Sequence, residues 1–148
     1  MREDPKGMIQ MISGFEEEIK QSKIETKLLS TEEFQKIVAE VEFIEENPAK
    51  NFIFDKELGK GAMCKVFYAY DRTEQDRKCY ACRIIKMKDQ KTINKIKTEA
   101  AVMCMCSSPC IVAYYFTYYY KESLFMFVEY MNGGALTDFV YQYLKKIP

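Results

Sequence analysis

The hydrophobic period of the chain changes at Asn47-Pro48, and no other feature limits its fold as strongly. Upstream, Ser30-Thr31-Glu32-Glu33 has the pattern of a capping box, and Phe34, Ile37, Val38 and Val41 follow at i, i+3, i+4 and i+7. That spacing predicts an amphipathic helix of about four turns. Asn47-Pro48 ends it, because proline disfavours helical backbone in the residue before it. Residues 1–28 carry a short apolar patch (Met8, Ile9, Met11, Ile12), a break at Gly14 and the run Glu16-Glu17-Glu18, and are expected to be partly helical and mobile.

Downstream of Pro48 the pattern is one of short strands. Phe52 to Leu58 and Lys65 to Tyr70 read as a hairpin around the tight turn Gly59-Lys60-Gly61-Ala62. A polar loop, Asp71 to Lys78, leads to a third strand, Cys79 to Lys86. A helix over about Thr92 to Cys106 follows, with Ile93, Ile96, Ala100 and Met103 on one stripe and Lys91, Lys95 and Lys97 away from it. Two further strands, Val112 to Tyr119 and Leu124 to Tyr130, are joined by Lys121-Glu122-Ser123, and Gly133-Gly134 opens a last helix, Leu136 to Leu144. Hairpin-length connections predict an α+β fold: a five-stranded antiparallel sheet with one helix packed across it, preceded by an acidic helical extension.

Composition removes several kinds of chemistry. The 148 residues include no His and no Trp, which excludes imidazole bases, His-held metals and His-activated nucleophiles from this chain. Net charge is zero, yet residues 1–50 hold seven Lys/Arg against twelve Asp/Glu, and residues 51–148 fifteen against ten, or −5 and +5. The basic part is too weakly charged to form a nucleic-acid surface. No apolar run reaches membrane-spanning length, and the N-terminus lacks a signal-peptide pattern, so a cytoplasmic location and no membrane contact are expected. Six cysteines (64, 79, 82, 104, 106 and 110) then read as reduced thiols. Their spacing invites a zinc alternative, but Cys79 and Cys82 lie on one strand and should leave opposite faces, and neither cysteine pair has knuckle-type turn residues. No metal site is expected.

Three features can carry function. Gly59-x-Gly61 at a hairpin tip lets backbone N–H groups approach a phosphate, although an ordinary turn has the same residues. Arg83 is the one charge in an apolar strand, on the face of Ala81 and Ile85; the alternative is a snorkelling edge residue. Glu99 borders the buried stripe of the following helix, where a solvated helix face would also tolerate it. A cation and an anion both facing the interior should pair, because unpaired burial of either is costly.

In order and spacing, Leu58-Gly59-Lys60-Gly61-Ala62-Met63-Cys64-Lys65-Val66, then Tyr80-Ala81-Cys82-Arg83, then Glu99 resembles the opening of a protein kinase domain. Residues 30–148 are similar to the STE group, above all its PAK-type serine/threonine branch. Further matching stretches are Phe54-Asp55-Lys56-Glu57-Leu58-Gly59, Ser108-Pro109-Cys110-Ile111-Val112, and Val128 through Asp138. MAP kinase kinases are second, through Cys106-Ser107-Ser108-Pro109. The resemblance covers the N-terminal lobe, the hinge and the first helix after it. It divides the chain into an acidic, largely helical extension, 1–48, and an incomplete kinase-like region, 49–148. The extension then resembles a pre-kinase helix bracing the lobe.

The resemblance implies that Gly59 to Val66 cover the phosphates of ATP and that Leu58, Val66 and Ala81 form an apolar wall against adenine. It makes Val128 the gatekeeper, sets the backbones of Glu129 and Met131 against the purine edge, puts Asp138 at the ribose lip, and has Glu99 orient the strand-three cation. The departures carry equal weight. Cys64 stands where the family has a third glycine, and Arg83 where it has its ATP-holding lysine, a replacement that changes a point charge into a planar fork. Lys86 faces the wrong way to substitute; Lys65 is the candidate for rescue, as in kinases that relocate this lysine. No His-Arg-Asp-type loop and no Asp-Phe-Gly occurs in the chain, and these supply the base and hold Mg²⁺ in the family. Mg²⁺ is therefore expected only for a complete domain, and this chain alone is expected to be inactive. Implied partners are a protein substrate or a partner kinase lobe, and no GTPase-binding motif is recognisable. The competing reading is a non-catalytic, pseudokinase-like interaction module.

Overall fold

The computed structural model describes residues 29–73, 75, 77–87 and 89–146; the reading of residues 1–28 lies outside the described residues. The chain divides into two units after Phe34. In the first, the predicted capping box is present. Ser30 N–H donates to the Glu33 carboxylate (2.9 Å), and Glu33 N–H donates to the Ser30 hydroxyl (3.2 Å).

This cap starts helix α1, Thr31–Glu40, which is shorter than its apolar stripe predicts. The reason lies in the second unit. Ile44 N–H donates to the Thr117 carbonyl and the Ile44 carbonyl accepts from Tyr119 N–H, both at 2.9 Å, forming a parallel bridge to a strand edge. Backbone committed to that edge cannot also continue an α-helix. Asn47 then caps a single 3₁₀ turn, Pro48–Lys50, accepting from Ala49 N–H at 3.0 Å.

The sheet comprises β1 (Phe52–Lys60), β2 (Cys64–Asp71), β3 (Cys79–Lys86), β4 (Tyr114–Tyr120) and β5 (Ser123–Glu129) in the order β1-β2-β3-β5-β4. Every pairing is antiparallel, as the short connections require. Helix α2, Gln90–Met105, crosses from β3 to β4, and α3, Leu136–Leu144, follows β5. The fold is α+β. Helix α2 begins two residues earlier than its periodicity suggests, because Asp89 caps it through Thr92 N–H (2.9 Å) and the Thr92 hydroxyl (2.8 Å). Those bonds hold the Asp89 carboxyl below its ordinary value.

Strand alternation gives the sheet two unlike faces. One is aromatic: Phe127 lies 4.5 Å from Phe52, 5.0 Å from Phe116, 5.7 Å from Tyr80 and 5.8 Å from Tyr118 between ring centroids. Cys82 is buried among them, and burial pushes its thiol pKa up. Cys79 leaves the other face, beside Tyr68, as alternation predicts. That second face takes α2, with Ile96 against Ile85 and Leu124, and Ala100 against Met126 and Val128. Lys97, expected to point away, instead lays its ammonium over the Phe43 ring at 5.5 Å.

Lys121 and Glu122 close the β4–β5 hairpin with φ of 46° and 54°. A two-residue turn of this kind needs positive φ at both positions, where Asn-Gly is favoured and branched or long L-residues are strained. Replacing Lys121-Glu122 by Asn-Gly is expected to raise stability by about 1 kcal/mol. Urea unfolding would measure it, and a lowered midpoint would contradict this account of the turn.

Candidate functional site

β3 lies between β2 and β5, so residues it sends to the helix side meet partners from both neighbours. Arg83 stands between Val66 on β2 and Met126 on β5, and Ala81 stands between Tyr68 and Val128. Arg83 Nη1 donates to Glu99 Oε1 in an ion pair and also reaches Met126 Sδ at 3.6 Å. Glu99 is brought there by α2, whose buried positions Ile96 and Ala100 fix the helix's rotation against the sheet. Burial opposes the Arg83 charge, but the hydrogen bond and charge of Glu99, with a smaller contribution from the Cys64 thiol, outweigh it and raise the guanidinium pKa further. The two side chains remain 31% and 37% exposed, placing the pair between a surface and a buried salt bridge in strength.

The glycine-rich segment differs in detail from its sequence reading. Gly59 belongs to β1, paired with Val66, and the turn proper is Gly61 to Cys64, closed by Gly61 N–H donating to the Cys64 carbonyl at 2.7 Å. A β-carbon added at Gly59 would meet nothing within 4 Å, and one at Gly61 would meet only the Cys64 carbonyl at 3.7 Å. The space beside these glycines is open, as approach of a ligand to the backbone requires. Cys64, at the third-glycine position, packs against the Ile85, Ile96 and Leu124 cluster, and its thiol lies 3.6 Å from the Lys65 carbonyl.

Val128 is buried and packs with Ala100, Met126 and Ala81. The next residue, Glu129, is the last of β5. Glu129 N–H donates to the Ala113 carbonyl (2.8 Å) while its carboxylate accepts from Ala113 N–H (3.1 Å). This double clasp also explains why β4 begins at Tyr114 and not at Val112. Met131 is 59% exposed beyond the strand, Leu58 is exposed on β1, and Asp138 is exposed in the first turn of α3.

The structure thus brings together Arg83 with Glu99, and Val66, Ala81 and Val128 on one face. It does not bring Lys65 to them: Lys65 pairs with Ile84, on the opposite face from Arg83, and Lys86 shares that opposite face. Met126 was missed by sequence reasoning, although its position two residues before Val128 on the same face was the available signal. Among the described residues no group of three or more Cys, Asp or Glu side chains is placed to hold a metal ion.

The protein kinase domain family model matches residues 52–147, so the chain belongs to the protein kinase family. It is similar to serine/threonine-protein kinase dst1 of Dictyostelium discoideum, 30% identical over 98 residues that cover 66% of this chain and 13% of the relative. Germinal center kinase 3 of Caenorhabditis elegans is 27% identical over 63% of this chain and 15% of its own length. Human mitogen-activated protein kinase kinase kinase kinase 3 is 28% identical over 62% and 10%. The chain therefore spans only a small part of the curated relatives it matches.

Removing the Glu99 carboxylate leaves Arg83 half-buried without its anion. Glu99→Ala is expected to cost about 1–2 kcal/mol of stability, and Arg83→Met with Glu99→Leu to recover most of it. Denaturant titration of both, together with the single variants Arg83→Met and Glu99→Leu, checks this, and additive losses in the double variant would refute a coupled pair.

Proposed function

We propose that residues 49–148 are the nucleotide-clasping part of a PAK-like serine/threonine protein kinase: N-lobe, hinge and first helix beyond it, with residues 1–48 as an acidic extension. The observation that carries this reading is the Arg83–Glu99 ion pair on the same sheet face as Val66, Ala81 and Val128, a cation held next to an apolar wall. These groups suit ATP. Leu58, Val66 and Ala81 would hold the adenine from above, with Val128 as gatekeeper and the backbones of Glu129 and Met131 at the purine edge; Asp138 would sit at the ribose. Gly59 and Gly61 keep the phosphate side open, and Arg83, oriented by Glu99, supplies the positive charge there. ATP supplies the γ-phosphoryl group, which the family passes to a protein Ser or Thr hydroxyl, with Mg²⁺ held by a complete domain. Its setting would be the cytoplasm; no helix among the described residues is long and apolar enough to cross a membrane.

These 148 residues contain neither a His-Arg-Asp-type loop nor Asp-Phe-Gly, so the chain by itself binds nucleotide without transferring phosphate. A second reading, a pseudokinase-like module docking on a protein partner, is favoured by two observations. Arg83 already has the Glu99 carboxylate and the Met126 sulfur as partners, and Leu136, Phe139 and Tyr143 of α3 are exposed.

Calorimetric titration with ATP and Mg²⁺ separates the two. Weak saturable binding is expected for the chain as it stands. Arg83→Lys should tighten it about tenfold, because a compact ammonium leaves room and charge for phosphate that a forked, engaged guanidinium does not. No binding by either protein would favour the module, and transfer of labelled phosphate to a basic protein would overturn the predicted inactivity.

A further inference from the structure

Lys65 has no part in the nucleotide face, and its neighbours give it a different one. In an antiparallel pair, directly opposed residues share a face, and so do residues two apart on one strand. Lys60 opposes Lys65, Lys65 opposes Ile84, Phe67 follows Lys65 by two, and Lys86 follows Ile84 by two. Five residues of three strands are thereby set on the outer face of the glycine-rich hairpin, away from Arg83. Together they line a cavity of about 450 Å³ whose remaining wall is the hairpin tip. This volume lies within the roughly 300–1,000 Å³ range of small-molecule sites.

The charge there is one-sided. Lys60, Lys65 and Lys86 are all exposed, and among the described residues none of the three has a carboxylate within ion-pair distance. Lys60 and Lys65 are directly opposed in register, an arrangement in which like charges destabilise the pair unless an anion lies between them. Below this cationic rim, Phe67 and Ile84 are half-buried, so the floor is apolar. Three ammonium groups around an apolar floor suit a group with several anionic oxygens attached to an apolar body, since lysine binds phosphate as a freely oriented point charge.

We propose that this cavity binds a small organic phosphate ester, its phosphate among Lys60, Lys65 and Lys86 and its apolar part against Phe67 and Ile84. The site shares only the turn Gly61–Cys64 with the nucleotide reading, because its five strand residues lie on the face of the sheet opposite Arg83.

The test titrates the full 148-residue chain with phenyl phosphate, followed by calorimetry and by methyl NMR of Ile84. Saturable binding is expected, weakened at least about tenfold by Lys65→Ala with Lys86→Ala and retained within about threefold by the corresponding Arg pair. Inorganic phosphate and phenol should each bind about tenfold more weakly than phenyl phosphate, and ATP should not displace it. Added salt should weaken the complex. Absence of saturable binding, equal binding by the Ala pair, inorganic phosphate as tight as the ester, or displacement by ATP would each overturn the proposal. Circular dichroism of the variants, all surface changes, guards against loss of folding.

Discussion

The Arg83–Glu99 ion pair joins the middle of the sheet to the helix that crosses it, and the placement of the other site residues follows from that link. Helix α2 is held against β3 and β5 by a few side chains, chiefly Ile96 and Ala100. Apolar contacts of this kind fix distance better than rotation, because dispersion and burial are non-directional. A charge-assisted hydrogen bond is directional. With Glu99 on Arg83, the helix has one rotation that also buries Ile96 and Ala100, and Met126 is set beneath the guanidinium.

The two faces of the sheet differ in how completely they are packed. Phe127 sits at the centre of the aromatic face, within 6 Å of Phe52, Phe116, Tyr80 and Tyr118, and is fully buried. Aromatic pairs at these spacings contribute beyond their buried area. The opposite face is only partly covered by α2, so Val66 and Ala81 remain partly open. Because the strands carry both sets of residues at period two, a one-residue slip in register would exchange core and site. The matched pairs Ala81 with Val128 and Cys82 with Phe127 keep them apart.

Most of this arrangement was legible from period and spacing. All five strands, both later helices and the opposite-facing Cys79 and Cys82 follow from rules local to one strand or one helix turn, and the pairing of Arg83 with Glu99 from the cost of leaving two interior-facing charges unpaired. What was not legible depends on partners distant in sequence. Helix α1 stops at Glu40 although Val41 continues its stripe, because β4 offers Ile44 a free edge. β4 starts at Tyr114 because Glu129, sixteen residues away, clasps Ala113. Lys97 lies over Phe43, a ring that periodicity within α2 cannot reveal. The misplaced rescue by Lys65 has a local cause: an offset of one residue along a strand reverses the face.

The central claim is that the face carrying Arg83 and Glu99 is the nucleotide site, while the aromatic cluster around Phe127 is structural. Backbone NMR of the 148-residue chain during titration with ATP and Mg²⁺ tests it most directly. The account predicts shifts confined to Leu58–Val66, Ala81–Arg83 and Val128–Met131, with Phe52, Tyr118 and Phe127 unmoved. Shifts centred on the aromatic face, or no residue-specific shifts at saturating nucleotide, would contradict it.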